Sequence, residues 1–82
     1  MNIYTTRFTA ACPNDGNPIE YSLKIESEEF IMCEDISEML DKYALDPIYQ
    51  EAIADELFRK LGCRRLCITG THAGIDVASI RP

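Results

Sequence analysis

Cys12 is followed by Pro13-Asn14-Asp15-Gly16-Asn17-Pro18, which puts a thiol at the mouth of a tight reversal between two strand-like runs. Pro13 fixes one φ angle, and Asn14, Asp15 and Gly16 tolerate the backbone geometry that a reversal needs. A cysteine held at a sheet edge is reachable by a ligand, and its thiolate is a nucleophile. The same residues also fit an ordinary hairpin with a half-buried cysteine. Three more cysteines, Cys33, Cys63 and Cys67, complete a set of free thiols in a chain that opens without a secretion-type leader. Cys63-x-x-x-Cys67 lacks the two-residue spacing of the commonest zinc knuckles. A four-ligand set with His72 and Cys12 can be imagined, but no metal is assigned. His72 falls in Thr71-His72-Ala73-Gly74, a turn sequence, either as a solvated turn residue or as a proton donor at a subunit interface.

The elements that must position these groups follow from periodicity. Ile3 to Ala11 alternates, with Tyr4, Thr6, Phe8 and Ala10 on one side; Glu20 to Glu26 alternates more cleanly, with Tyr21, Leu23 and Ile25 against Ser22 and Lys24. These runs predict an antiparallel pair covered on a single face. Ile36, Met39, Leu40 and Tyr43 then fall at helical spacing, with Asp35 as the expected cap and Glu38 three residues later. Asp46-Pro47 reads as a second N-cap followed by proline at the first helical position. Tyr49, Ala52, Ile53, Leu57 and Leu61 continue that stripe, and Gly62 supplies the stop. Arg65 to Thr69 and Ile75 to Ile80 are strand-like again, with Cys63 just before the first and Cys67 facing away from Leu66 and Ile68. The order strand, strand, helix, helix, strand, strand predicts an α+β domain: a four-stranded antiparallel sheet with two antiparallel helices on one face.

Composition bounds what this domain does. A chain of 82 residues is one domain, residues 1–82, and at that size oligomerisation is a common support. Hydrophobic residues at 46% and charged residues at 27% describe a globular chain. No run has the length of a membrane span, and the expected setting is the cytoplasm. A net charge of −6 argues against nucleic acid as a partner, since that affinity comes from clustered cations. The one basic cluster, Arg59, Lys60, Arg64 and Arg65, sits around a helix end, where it suits the macrodipole. A small-molecule ligand or a protein partner is the expectation.

The element order and the opening motif carry a resemblance. The order is that of the tunnelling fold (T-fold), whose members bind purine- or pterin-like rings at subunit interfaces and join their sheets edge to edge into multimeric barrels. Phe8-Thr9-x-x-Cys12-Pro13-x-x-Gly16-x-Pro18 is similar to the Phe-Thr-x-x-Cys-Pro-x-Thr-Gly-Gln-Pro-Asp signature of 7-cyano-7-deazaguanine (nitrile) reductases and the related archaeosine amidinotransferases. Tyr49-Gln50-Glu51 resembles the Phe-His-Glu that heads the second helix in that family. The resemblance implies queuosine-type deazapurine chemistry: Cys12 attacks the nitrile carbon to give a covalent thioimide, and Glu51 holds the base. An ionised carboxylate accepts both adjacent N–H groups of a guanine-like edge, which suits Glu51 to that task; a first-turn glutamate also stabilises a helix N-terminus. Gln50 replaces the family's histidine and retains hydrogen bonding at the substrate side. Ile19 stands where the family has an aspartate that handles protons, and Asp15 is the available substitute. The reductases' Glu-Ser-Lys-Ser-x-Lys segment, which helps hold NADPH, is replaced by Glu26-Ser27-Glu28-Glu29-Phe30-Ile31. Loss of both lysines disfavours NADPH as a cofactor. The expected partners are a purine-like small molecule and further copies of the chain.

Overall fold

Alternation along four segments closes into one sheet. In the computed structural model, which describes residues 1–82, the elements are β1 (Asn2–Ala11), β2 (Pro18–Ser27), α1 (Cys33–Asp41), a 3-10 turn (Lys42–Ala44), α2 (Gln50–Leu61), β3 (Arg65–His72) and β4 (Ile75–Arg81). The sheet order is β1-β2-β3-β4 and every pair is antiparallel. Phe8, Ala10, Tyr21, Leu23, Ile25, Leu66 and Ile68 face the helices and are buried against Ile36, Leu40, Tyr43, Ile53, Ala54 and Leu57. Each fully buried leucine or isoleucine among them contributes about 1.5–3 kcal/mol. The opposite sheet face carries Thr5, Arg7, Ser22, Lys24, Cys67 and Thr69 and forms a shallow polar trough. No helix is long and apolar enough to cross a membrane.

Both helix boundaries expected from the sequence are corrected. α1 starts at Cys33 with Met32 as its N-cap, two residues ahead of Asp35, because the Ile31 N–H is captured by the Tyr4 hydroxyl (2.9 Å) and Asp35 N–H bonds back to the Met32 carbonyl (3.0 Å). Glu34 and Asp35 lie in the first turn, where their charge still favours the helix dipole. Tyr43 lies on the 3-10 turn rather than in α1. α2 starts at Gln50 with Tyr49 as N-cap, not at Asp46-Pro47, because the Ile48 N–H is bonded to the Ala11 carbonyl (3.3 Å) and holds the approach extended. Gly62 ends α2 in the left-handed conformation at φ 61°, its N–H returning to the Phe58 carbonyl.

A further correction concerns His72. β3 runs through it, and the β3–β4 hairpin turns on Ala73 and Gly74 alone, both at positive φ (51° and 80°), as a two-residue turn of primed type requires. His72 is therefore paired with Ile75 at the last rung of the ladder and half-buried, not a solvated tip residue.

A polar contact ties the 3-10 turn to α2. The Tyr43 hydroxyl donates to Glu56 Oε1 at 2.5 Å, with Lys60 and Lys42 within 4 Å of the same oxygen. Burial pushes the Tyr43 phenol well up, and its hydrogen bond holds Glu56 below the ordinary 4.5. A depressed carboxyl adds stability above its unfolded value, and that increment is lost as pH falls through the folded one. Tyr43→Phe is expected to lower stability at pH 7 by about 1.5 kcal/mol, roughly 6–12 °C in Tm. In thermal melts the gap to the wild type should close as pH drops below 4 or so; a gap independent of pH would contradict the assignment.

Candidate active site at one end of the sheet

The antiparallel order gathers the chemistry-bearing residues at one end. β1 finishes there and β2 begins there, since Ala11 pairs with Pro18; β3 finishes and β4 begins there, since His72 pairs with Ile75. The head of α2 arrives at the same end, tied by the Ile48–Ala11 bond and by the Tyr49 hydroxyl donating to Asn14 Oδ1 at 3.4 Å. Cys12, Asp15, Gln50, Glu51 and His72 thus share one rim of the sheet, although sixty residues separate the first from the last.

The Cys12 loop is tightly formed. Cys12 N–H bonds to the Asn17 carbonyl (2.9 Å), Gly16 N–H bonds to the Cys12 carbonyl (2.8 Å), and Gly16 takes φ 75°, a conformation glycine adopts without cost. Asp15 accepts the Asn17 N–H at 2.9 Å. That backbone donor is the main reason the Asp15 carboxyl lies below its ordinary value, and the neighbouring Cys12 thiol adds a smaller push in the same direction. Cys12 itself is half-buried, and it is a free thiol.

Gln50 is buried, and its amide is fully engaged. Nε2 donates toward the Ile68 carbonyl (3.0 Å), the Val77 carbonyl (2.9 Å) and Ser79 Oγ (3.1 Å). Two of these partners are carbonyls that can only accept, so the NH2 must face the strands and Oε1 must face His72. Oε1 lies 2.7 Å from His72 Nε2. Gln50 is thereby a brace for His72 rather than a group offered to a ligand. Glu51, next along, is exposed in the first turn of α2.

Two residues that no sequence motif flagged complete the rim. Tyr21 is 1% exposed, stacks on Phe8 with ring centroids 5.3 Å apart, and places its hydroxyl 3.5 Å from His72 Nε2. Burial raises the Tyr21 phenol above its ordinary value, and proximity to Cys12 raises it further. Gly70 makes room for that ring: a Cβ there would lie 2.5 Å from Tyr21 Cδ1 and Cε1 and 3.3 Å from Gln50 Oε1. The signal available in the sequence was a glycine inside a strand pattern, which marks a close approach.

A groove of about 690 Å³ runs between β1 and α1 past Tyr4, Phe8, Ile36 and Leu40 and includes none of these rim residues. No cluster of three or more His, Cys, Asp or Glu side chains is placed to hold a metal, and the conceivable four-cysteine/histidine set is dispersed: Cys63 is buried in the core while Cys67 lies on the opposite sheet face. The segment Glu26–Ile31 does not fit a phosphorylated nicotinamide cofactor. Glu26 and Glu28 face Arg65 (3.7 Å) and Arg64 (2.8 Å), so these two cations are already paired with acids. Ser27 also lies at the far end of the ten-residue β2 from Pro18, some ~30 Å away at the rise of an extended strand.

No family model and no curated protein matches the sequence. Among solved structures, the archaeosine synthase QueF-Like in the apo form superposes with a TM-score of 0.80 over 98% of this chain and 89% of that one, at 19% sequence identity. At that identity the likeness establishes a shared architecture, and the strand, strand, helix, helix, strand, strand chain described above is a tunnelling fold.

Proposed function

We propose that this chain binds a 7-deazapurine bearing a nitrile, 7-cyano-7-deazaguanine, and that Cys12 adds to the nitrile carbon. The sulfur lone pair forms the S–C bond and one C≡N π pair moves onto nitrogen, leaving a thioimide. The proton leaving the thiol passes to Asp15 and, through solvent, ends on that nitrogen, so the addition is balanced without a redox cofactor. Glu51 accepts the two adjacent N–H groups of the guanine-like edge. Gln50 acts on the ligand only through His72, whose Nδ1 is left to exchange protons. The observation carrying this reading is the closed loop that sets Cys12 and Asp15 in one turn, at the rim reached by the head of α2. The motif at residues 8–18 and the archaeosine synthase of like fold support the same substrate class.

In the reading, the site is completed by a further copy of the chain. β1 and β4 are both edge strands, and unpaired edges are normally protected or paired. Ile3, Ile75, Val77 and Ile80 stand exposed along them. Edge-to-edge pairing of β1 with β4 of a neighbour closes the sheets into a multimer, and the four free thiols suit a reducing, cytoplasmic setting.

Intact-mass measurement after incubation with 7-cyano-7-deazaguanine tests the proposal: the wild type is expected to gain the mass of one ligand. Failure to label under conditions that label a known nitrile reductase would overturn the covalent step, and a strict monomer by light scattering would remove the shared site. A second reading, reversible purine or pterin binding without chemistry, is favoured by Ile19, which packs against the core where the related enzymes carry a proton-handling acid. Both readings require Glu51→Gln to weaken binding by about 10–100-fold, because the amide offers a donor where an acceptor is needed. Only the second predicts binding with no mass gain.

A further inference from the structure

We infer that Gln50 is a positioning residue that locks His72 as its Nε2–H tautomer, and that the His72 Nδ1 lone pair is thereby a fixed hydrogen-bond acceptor of the rim, taking an N–H or O–H hydrogen of the bound ligand. The inference rests on the reading of this rim as a ligand site and adds a specificity-determining atom to it.

An amide holds a ring tautomer only if it cannot itself turn over. Gln50 is 6% exposed, and turning its amide would bring Oε1 against the Ile68 and Val77 carbonyls, which lie 3.0 and 2.9 Å from Nε2 and have no hydrogen to give. Ser79 Oγ, 3.1 Å from the same nitrogen, adds a third acceptor. Oε1 therefore faces His72, and at 2.7 Å it receives a hydrogen from Nε2. Gly70 leaves that oxygen unobstructed, since a Cβ there would stand 3.3 Å from it. A neutral imidazole carries one N–H, so its lone pair is then on Nδ1.

The surroundings of the ring decide where that lone pair is offered. Both side chains within hydrogen-bond range of the imidazole, Gln50 and Tyr21, lie on Nε2. Nδ1 has no partner in the chain, and no buried polar side-chain atom is left without one, so Nδ1 opens to solvent. His72 stands on the last rung of β3 against Ile75 and not on the turn, so a paired strand carries the acceptor. Such an atom favours ligands that present a hydrogen to it and penalises those that present a lone pair.

Long-range proton–nitrogen correlation spectra at about pH 8.5, above the ordinary titration of imidazole, read both nitrogens of the single histidine. The wild type is expected to show Nε2–H alone; Nδ1–H, or a mixture of the two, would overturn the lock. Gln50→Met keeps the length of the side chain and removes its polar atoms, so both tautomers should then appear, and an unchanged spectrum would overturn the role of Gln50. Should that variant not fold, the wild-type Nε2 hydrogen decides: it should exchange slowly enough to give a cross-peak to the Gln50 side chain, and the lack of one would overturn the lock. 7-Cyano-7-deazaguanine is then added to Cys12→Ala, which cannot form the adduct. Binding should move the Nδ1 resonance and leave Nε2 near its free position; a saturated complex with Nδ1 unmoved would overturn the acceptor while leaving the proposed function standing. A ligand that never binds would sink the proposed function together with the acceptor, and the tautomer, read without any ligand, would still decide the lock.

Discussion

Cys12→Ala is expected to abolish the covalent adduct with 7-cyano-7-deazaguanine completely while leaving reversible binding in place. The half-buried thiol contributes little packing, so the substitution should cost no more than about 0.5 kcal/mol of stability, and any loss of labelling is then chemical. Cys12→Ser is expected to behave like the alanine variant, because a hydroxyl lacks the thiol's accessible anionic form near neutral pH. Asp15→Asn separates attack from proton handling. It preserves the loop's acceptor for the Asn17 N–H but removes the carboxylate proposed to take the thiol proton, and labelling should slow by about 100-fold, the lower range for a general base. The measurements are intact mass with time and calorimetric affinity. Labelling of Cys12→Ala at the wild-type rate would place the reaction on another cysteine and remove the site from this rim.

Gly70→Ala is expected to be the most destabilising of the glycine-to-alanine changes. The new Cβ would stand 2.5 Å from two carbons of the Tyr21 ring, closer than any relaxed contact allows. Tyr21 is fully buried and stacked on Phe8, and the strand carrying Gly70 is paired on both sides, so neither partner yields cheaply. Overpacking of this kind costs about 2–3 kcal/mol, roughly 10–20 °C in Tm for a domain of this size. Gly70→Ala combined with Tyr21→Leu should recover part of the loss, because the shorter side chain vacates the collision. By contrast, Gly16→Ala and Gly74→Ala meet open space and suffer only from their positive φ. A melting temperature for Gly70→Ala within about 2 °C of the wild type would show that the ring is not wedged as described.

Much of this architecture is legible in local pattern. Alternation in residues 3–11 and 20–26, helical spacing through Ile36 and Ile53, and the Gly62 stop determine the element order, because each follows from a side chain's own period or backbone preference. The helix starts were less legible. Asp35 and Asp46 have good capping chemistry, yet Tyr4 and Ala11, distant in sequence, hold the preceding amides and move both starts. His72 shows the same limit: Thr71-His72-Ala73-Gly74 has turn composition, and only the register of β3 against β4 decides that two of the four residues turn.

By itself the sequence determined the candidate nucleophile, its loop, the acid heading α2 and the tunnelling-fold order of elements, since motif spacing and periodicity are local properties. Tertiary structure alone decided that Gln50 braces His72 against β3 and β4, that Gly70 vacates space for Tyr21, and that the Tyr21 hydroxyl approaches His72. The physical reason is that hydrogen-bond partners and excluded volume are set by which strands lie side by side. Residues 21, 50, 70 and 72 meet, and Cys12 joins their rim, only once the antiparallel register has brought both hairpin ends and the helix head together.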